Sequence, residues 1–464
     1  MGAFHAGSTA NAIPISLVSE SGLGAWLNAQ TASTRTWAAA SGFRGERQKV
    51  LVVPGSQGDV ACVALGVGNL ASLATLSLWH TALLPDRLPS GVYAFAEPLE
   101  ERPAGQAALG WAVGAYRFER YRKAAPRTET ALVWPDRCDR GQVESAARAI
   151  AWARDLINTP TNDMSPAHLA AEAVHMAERF GATHELLVGE ELLKRNYPAV
   201  HAVGRAAETP PRLIDIRWGR PGTPLVTLVG KGVCFDSGGL DVKPAAGMQL
   251  MKKDMGGAAC VLATAQMIME SALPIRLRVL VPAVENSISG DAYRPGDILR
   301  TRKGLSVEVG NTDAEGRLIL GDCLAEADAS GSDLIIDLAT LTGAARIALG
   351  PELPAAYSND AALLDDFVKI AEAEHDPVWP MPLWPGYEDE FASKVADLNN
   401  VSSTSYAGSV IAALFLGRFV TACPRWLHVD LFAWNAKERP GRPVGAEAQC
   451  VRAVHALLTQ RYGR

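Results

Sequence analysis

The chain has 464 residues, 48% hydrophobic and 20% charged: enough apolar material for more than one buried core, and too little charge for a disordered polymer. Its 44 basic and 50 acidic residues leave a formal net charge of −6, which offers no basic footprint for nucleic acid. The seven cysteines (Cys62, Cys138, Cys234, Cys260, Cys323, Cys423, Cys450) are odd in number, scattered and without a C-x-x-C pair, which favours reduced thiols in an intracellular protein over a disulfide framework.

The start, MGAFHAGSTANAIPISL, has neither a basic n-region nor a continuous apolar run, so no secretory leader is expected. Ala6 stands where N-myristoylation needs Ser or Thr. Apolar or β-branched runs at Val50–Val53, Val60–Val67, Val92–Ala96 and Ala131–Trp134 read as strands, with helical periods at Asn69–Leu84 and Gly105–Tyr121. The alternation predicts a small N-terminal α/β domain over residues 1–135. Gly22-Leu23-Gly24 and Gly66-Val67-Gly68 do not complete G-x-G-x-x-G and read as tight turns. Asp139–Asn158 predicts a helix capped by Asp139, with Ile150, Ala151, Leu156 and Ile157 on one side; residues 136–158 then link the two domains, and TPTNDMSP stops the helix.

The larger domain, residues 159–464, alternates more regularly. A helix at Ala167–Phe180 leads to strands Arg212–Trp218 and Leu225–Gly230, the second continuously apolar like a strand covered on both faces. Helix Ala258–Ser271, strand Ile275–Pro282, helix Leu318–Asp328 and strand Leu334–Ala339 follow. Helices Ala361–Ala373 and Ser409–Val420, strand Leu427–Leu431 and a closing helix Glu447–Gln460 complete the pattern. Ser409–Val420 is the longest apolar helix, contains Arg418 and is too short for a bilayer, so no membrane partner is expected. The fold class is α/β: a three-layer α/β/α domain on a mostly parallel sheet, with its site past the strand ends.

Candidate chemistry gathers at those ends. Lys231 and Asp236 follow the strand Leu225–Gly230, and Asp254 precedes Met255-Gly256-Gly257 and a helix. Asn311–Leu320, NTDAEGRLIL, adds Asp313 and Glu315, then Gly316 and Arg317. A lone D-x-E is usually a solvated loop; four acids at strand ends and helix starts read as one site. Buried together, four carboxylates need positive compensation, and two divalent ions match them in formal charge. Such pairs sit roughly 3.5–4 Å apart and clamp an attacking and a developing oxygen. Oxygen-rich ligation suits Mn or Mg as well as Zn. The nine histidines offer little, since His184-Glu185 lacks the second histidine of H-E-x-x-H, and most read as ordinary core or surface residues. A lysine beside a dication loses its proton readily and becomes a ligand, or keeps it and stabilises an oxyanion, which covers Lys231 and Lys243. Arg317 offers a planar fork to a small anion. Lys252 and Lys253 fit pairing with surface acids equally well. Ser237 lacks the G-x-S-x-G frame, and Lys231 is followed by Gly232, which breaks a P-loop.

These blocks resemble the dimetal leucine (cytosol) aminopeptidases. The matching segments are NTDAEGRL, VGKGVCFDSGGLDVKP, LMKKDMGGAA, NTPTNDMSP, DLATLTGA and VADLNN (Val395–Asn400), and they cover about residues 158–464. The resemblance implies that Asp236 and Glu315 bridge two metals, with Lys231 and Asp254 completing the tighter site and Asp313 the more exchangeable one. It implies that Lys243 polarises the scissile carbonyl, and that Arg317, with backbone near Leu341, holds a bicarbonate-like proton acceptor. Met251, Thr340 and Gly343 would border the pocket for the first side chain. The implied activity is release of N-terminal amino acids, apolar ones such as leucine included, from peptides with a free N-terminus, by a cytoplasmic homohexamer. One departure stands out: Pro443–Gln449 reads PVGAEAQ where the leucine-cleaving members have G-A-T-G, which bears on the rim of the specificity pocket. Two other readings remain: a DNA-binding regulator, as some relatives are, and a two-metal phosphoesterase.

Overall fold

The computed structural model describes residues 3–7, 11–122 and 129–463; Met1 and Gly2, on which the reading of the N-terminus partly rests, lie outside the described residues. The chain divides into two compact units, Met1–Ala151 with Lys437–Val444, and Trp152–Ala436 with Gly445–Arg464. The division falls inside the helix Arg140–Asn158, and the first unit takes in a late segment, whereas the sequence pattern suggests contiguous spans. Asp139 does cap that helix, accepting from Gln142 N–H at 3.0 Å.

In the first unit six strands, β1 (Phe4–His5), β2 (Ile13–Ser19), β3 (Val50–Pro54), β4 (Val60–Gly68), β5 (Gly91–Phe95) and β6 (Thr130–Val133), form one sheet in the order β1-β6-β5-β2-β4-β3. Strand β2 lies between β5 and β4, although Ser16 and Ser19 interrupt its apolar pattern. The helix expected over Asn69–Leu84 is instead three short turns, Leu73–Thr75, Leu78–Thr81 and Leu84–Arg87. Ser72 and Ser77 each cap a fresh start, and Pro85 opens the third, so local side-chain hydrogen bonds outcompete one continuous ladder. The helix expected at Gly105–Tyr121 runs Glu101–Gly114.

The strands of the second unit, among the described residues, are β7 (Thr183–Val188), β8 (Arg212–Trp218), β9 (Leu225–Gly230), β10 (Gly232–Asp236), β11 (Arg276–Asn286), β12 (Ile298–Arg300), β13 (Ser306–Glu308), β14 (Leu334–Ala339), β15 (Ala355–Ser358), β16 (Trp379–Pro380), β17 (Leu398–Asn399), β18 (Trp426–Asp430), β19 (Trp434–Asn435) and β20 (Gly445–Ala446). Nine of them, among the described residues, form the main sheet in the order β16-β15-β18-β14-β9-β11-β8-β7, with β10 also on β11. β18, β14, β9 and β11 run parallel, while β15, β8 and β7 are antiparallel to their inner neighbours. Successive residues of β9 face opposite ways. Gly230 lies against Ala258 of the helix Gly256–Glu270, and Val229 joins the core cluster that holds Leu320 and Cys323 of the helix Glu315–Ala329. The two helices therefore cover opposite faces, which makes the unit three layers with its parallel strand ends open.

The first helix sits on the sheet with no room to spare. A Cβ on Gly257 would come within 2.0 Å of the Leu338 carbonyl oxygen on β14, and one on Gly230 within 2.7 Å of Ala258 Cα. Gly257→Ala is therefore expected to destabilise the protein by about 1–3 kcal/mol, as overpacking does. Urea unfolding of the two proteins measures it.

Candidate active site

Each candidate side chain leaves from a strand end or a helix start. Lys231 follows β9, Asp236 closes β10, Asp254 lies in the 3₁₀ turn Met251–Met255, and Glu315 opens the helix Glu315–Ala329. The structure brings them together. Lys231 Nζ lies 2.7 Å from Asp254 Oδ2 and 2.9 Å from Glu315 Oε1, and donates to the Thr340 carbonyl at 2.8 Å. Lys243 Nζ lies 2.7 Å from Asp236 Oδ2 and 2.5 Å from Asp313 Oδ1. One oxygen each of Asp236, Asp313 and Glu315 falls within 4.8 Å of the others. Asp236, Asp254 and Glu315 are buried; Asp313 is half-buried.

Four carboxylates face two ammonium groups, so the cluster is short of positive charge. Burial raises the pKa of Glu315, and the charge of Asp236 adds to it against the pull of Lys231. Asp313 is raised for the same two reasons, with Lys243 opposing. Burial works to discharge Lys231, but Asp254, Glu315 and Asp236 together outweigh it and hold the pKa above the ordinary lysine value. Lys243 is held up likewise, chiefly by Asp236 against its own burial. Protein groups alone thus keep both lysines charged; the depression expected of Lys231 requires a dication beside it.

Beyond the carboxylate oxygens that the two lysines meet, three atoms of the site are left over. Glu315 Oε2, Asn286 Oδ1 and Arg317 Nε are buried with no hydrogen-bond partner among the described residues. A buried carboxylate oxygen left unpaired costs stability unless a cation meets it. With hard oxygen donors and one amine around it, the cluster fits divalent cations such as Mn, Zn or Mg. Arg317 is half-buried, its guanidinium carbon 5.9 Å from the Phe415 ring; burial lowers its pKa to about 10 against Glu315 and Asp430.

The positions expected around a first side chain differ in kind. Met251 is half-buried and Gly343 exposed at the start of the helix Gly343–Leu349. Thr340 is buried and braces the acids: its Oγ1 donates to Asp254 Oδ1 at 2.8 Å, and its carbonyl receives Lys231. The Leu341 N–H is engaged, donating to Asp430 Oδ1 at 3.0 Å. Lys252 donates to the Asn158 carbonyl at 2.6 Å, and Lys253 is buried over the Phe432 ring, so neither takes the surface acid that its sequence allows.

Several supporting residues escaped the sequence reading. Asn286, at the end of β11, donates to Asp236 Oδ1 at 2.9 Å and to the Thr312 carbonyl at 3.0 Å; a polar residue closing an apolar strand was the available signal. Asn400, the last residue of VADLNN, accepts from Gly310 and Asn311 N–H at 2.8 and 3.2 Å and donates to the Asn311 carbonyl at 2.7 Å, which fixes the NTDAEGRL turn. Across the neighbouring strands β14 and β18, Asp337 and His428 form a buried pair at 2.6 Å, with Trp426 Nε1 donating to the other Asp337 oxygen at 2.7 Å. Burial works to discharge His428, and the charge and hydrogen bond of Asp337, with Asp430 adding, raise its pKa overall.

Charged side chains at sheet-end loops, a lysine held among acids and an orphaned carboxylate oxygen are the features of a metal-dependent hydrolase on a two-domain α/β fold. The model of the cytosol aminopeptidase family catalytic domain matches residues 151–455, and that of the M17 aminopeptidase N-terminal domain matches 13–135. The chain belongs to the cytosol aminopeptidase family and is a metal-dependent aminopeptidase. It is 40% identical over 389 residues to a probable cytosol aminopeptidase of Syntrophotalea carbinolica, covering 78% of each chain. It is 39% identical over 346 residues to peptidase B of Cronobacter sakazakii, covering 72% of this chain and 81% of that one. The crystal structure of a cytosol aminopeptidase from Coxiella burnetii superposes with a TM-score of 0.95 at 45% identity over 100% of both chains. The bottromycin maturation enzyme BotP, solved in complex with Mn, gives 0.88 at 30% identity over 97% of this chain and 99% of that one.

Two outcomes are expected. A Cβ on Gly316 would stand 2.6 Å from Lys231 Cε, so Gly316→Ala should displace an ammonium that three contacts fix. Metal content by elemental analysis and kcat/KM should each fall roughly 10–100-fold, with the circular dichroism spectrum unchanged. The raised pKa of His428 means that its stabilisation is complete below the ordinary histidine value of 6.5 and is lost as pH rises through the raised value. Asp337→Asn should lower stability and flatten that decline, as read by urea unfolding from about pH 6 to pH 9.

Proposed function

We propose that Lys231, Asp236, Asp254, Asp313 and Glu315 hold two divalent ions, Asp236 and Glu315 between both, and that the enzyme releases the first residue of peptides with a free N-terminus. The observation that carries this reading is the orphaned Glu315 Oε2 within a cluster where acids outnumber lysines. When bound, such a pair acidifies a water, polarises a carbonyl and accepts an unprotonated α-amine. Only a terminal amine has a lone pair to offer there, which accounts for exopeptidase action.

The chain's own groups do the rest. Lys243, charged and only half-buried, is placed to meet the oxygen of a scissile carbonyl as negative charge builds on it. Arg317, with a nitrogen unengaged by other described residues, offers its fork to a bicarbonate-like proton acceptor. The Leu341 carbonyl remains for such an anion's proton, its N–H being held by Asp430. Met251 and Gly343 border the first side chain, and Thr340 contributes through its grip on Asp254. The preferred metal is Mn or Zn, with Mg as a weaker alternative. The working form is a homohexamer, and its place is the cytoplasm, in keeping with the word cytosol in the names of the relatives.

With Mn or Zn added, the protein should cleave a leucyl amide, fail on the N-acetylated amide and lose activity to a chelator. Glu315→Gln should fold, retain little metal and lose about a hundredfold or more of turnover. Retained activity contradicts the bridging role, and faster turnover of a phosphate ester than of the amide would support the phosphoesterase instead. Sedimentation velocity reads the hexamer.

A further inference from the structure

Part of the segment that departs from the G-A-T-G pattern, Gly445–Gln449, fixes the backbone that carries one aromatic ring. Gln449 Oε1 accepts from the Phe432 and Ala433 N–H groups at 3.0 and 2.8 Å, while its Nε2 donates to the Pro351 carbonyl at 3.0 Å. Glu447 N–H donates to the Ala433 carbonyl at 3.1 Å, and Gly445 and Ala446 pair with Asn435 and Trp434. Ala433 itself has a φ of 56°, and its Cβ would stand 2.4 Å from a Cβ on Gly256, two residues after Asp254. The backbone at Phe432 can therefore neither withdraw nor advance.

The ring it carries spans the two segments that frame the first side chain. The Phe432 ring centroid is 4.5 Å from Lys253 Nζ, in the turn that Met251 begins, and 5.0 Å from the guanidinium carbon of Arg346, in the helix that Gly343 begins. Half-buried Phe432 also lines a shallow recess open to solvent, together with Thr342, Arg346, Pro351 and Asp430. Cations on two sides and an anchored backbone hold the ring in one place. A wall of this kind discriminates by volume, because a bulky side chain has to displace it and a small one does not.

We propose that Phe432, positioned by Gln449, is the specificity-determining wall of the first-residue pocket and makes the enzyme favour peptides that begin with small residues over those that begin with bulky apolar ones. The proposal rests on the aminopeptidase reading above. The experiment compares kcat/KM for alanyl, leucyl and phenylalanyl amides in the Mn-loaded wild type, Phe432→Ala, Phe432→Leu, Gln449→Ala and Gln449→Glu, with metal content measured on each. Phe432→Ala should raise the phenylalanyl-to-alanyl ratio by about tenfold or more at unchanged metal content. Phe432→Leu, which keeps an apolar core, should move it in the same direction by less. Gln449→Ala should shift the ratio through KM, and Gln449→Glu, which keeps the acceptor for both N–H groups but loses the donor to the Pro351 carbonyl, should recover part of the wild-type ratio. An unchanged ratio in the soluble Phe432 variants, or a wild type that already prefers phenylalanyl, overturns the proposal. A metal-loaded wild type inactive on all three amides overturns the aminopeptidase reading instead.

Discussion

The structure depends on one electrostatic constraint: four carboxylates from three separate segments are held together at the open end of a parallel sheet, with Lys231 and Lys243 between them. Like charges at such distances repel strongly in a poorly solvated setting. The two ammonium groups make the arrangement tolerable without making it neutral. That residual negative charge is the source of the site's appetite for cations. It also explains why the surroundings are so fully hydrogen-bonded, since every bond that fixes a backbone segment opposes a force driving the loops apart.

The supporting bonds follow one pattern. A polar side chain from one strand end reaches across to fasten the backbone beside a charged residue on another. Asn286 does this for Asp236 and Thr312, Thr340 for Asp254, Asn400 for the turn that carries Asp313, and Asp430 for Leu341 and Thr342. Gln449 does the same for Phe432. Parallel strands make this economical, because their ends lie side by side while their sequence positions are far apart.

How much of this is legible in the sequence follows from what each feature needs. The strands with continuous apolar runs, such as Leu225–Gly230 and Leu334–Ala339, stand at the residues where their composition puts them, because burial on both faces leaves few alternatives. Strand Gly232–Asp236 escapes, since a glycine and an aspartate in five residues look like loop until β11 pairs with them. The break-up of Asn69–Leu84 escapes because serine caps compete locally with a helix whose apolar period is intact. For the site, acids at strand ends and helix starts are visible as types in positions, and the structure brings Lys231, Asp236, Asp254, Asp313 and Glu315 into one cluster. What no single segment carries is the partner across the gap: that Thr340 grips Asp254, that Leu341 gives its N–H to Asp430, or that Gln449 takes the N–H groups of Phe432 and Ala433. Those are tertiary facts, and spacing along one chain does not encode them.

The reach of Asn400 to Gly310 and Asn311 has a bearing on synthesis. All the clustered acids and lysines have been made by residue 315, yet the frame that shapes their last turn arrives only with residue 400, and the clamps at 430 and 449 later still. A chain still on the ribosome, or cut short before that point, carries the chemistry without its jig. The order of residues thus delays a peptide-cleaving activity until nearly the whole polypeptide exists, a safeguard built from topology alone.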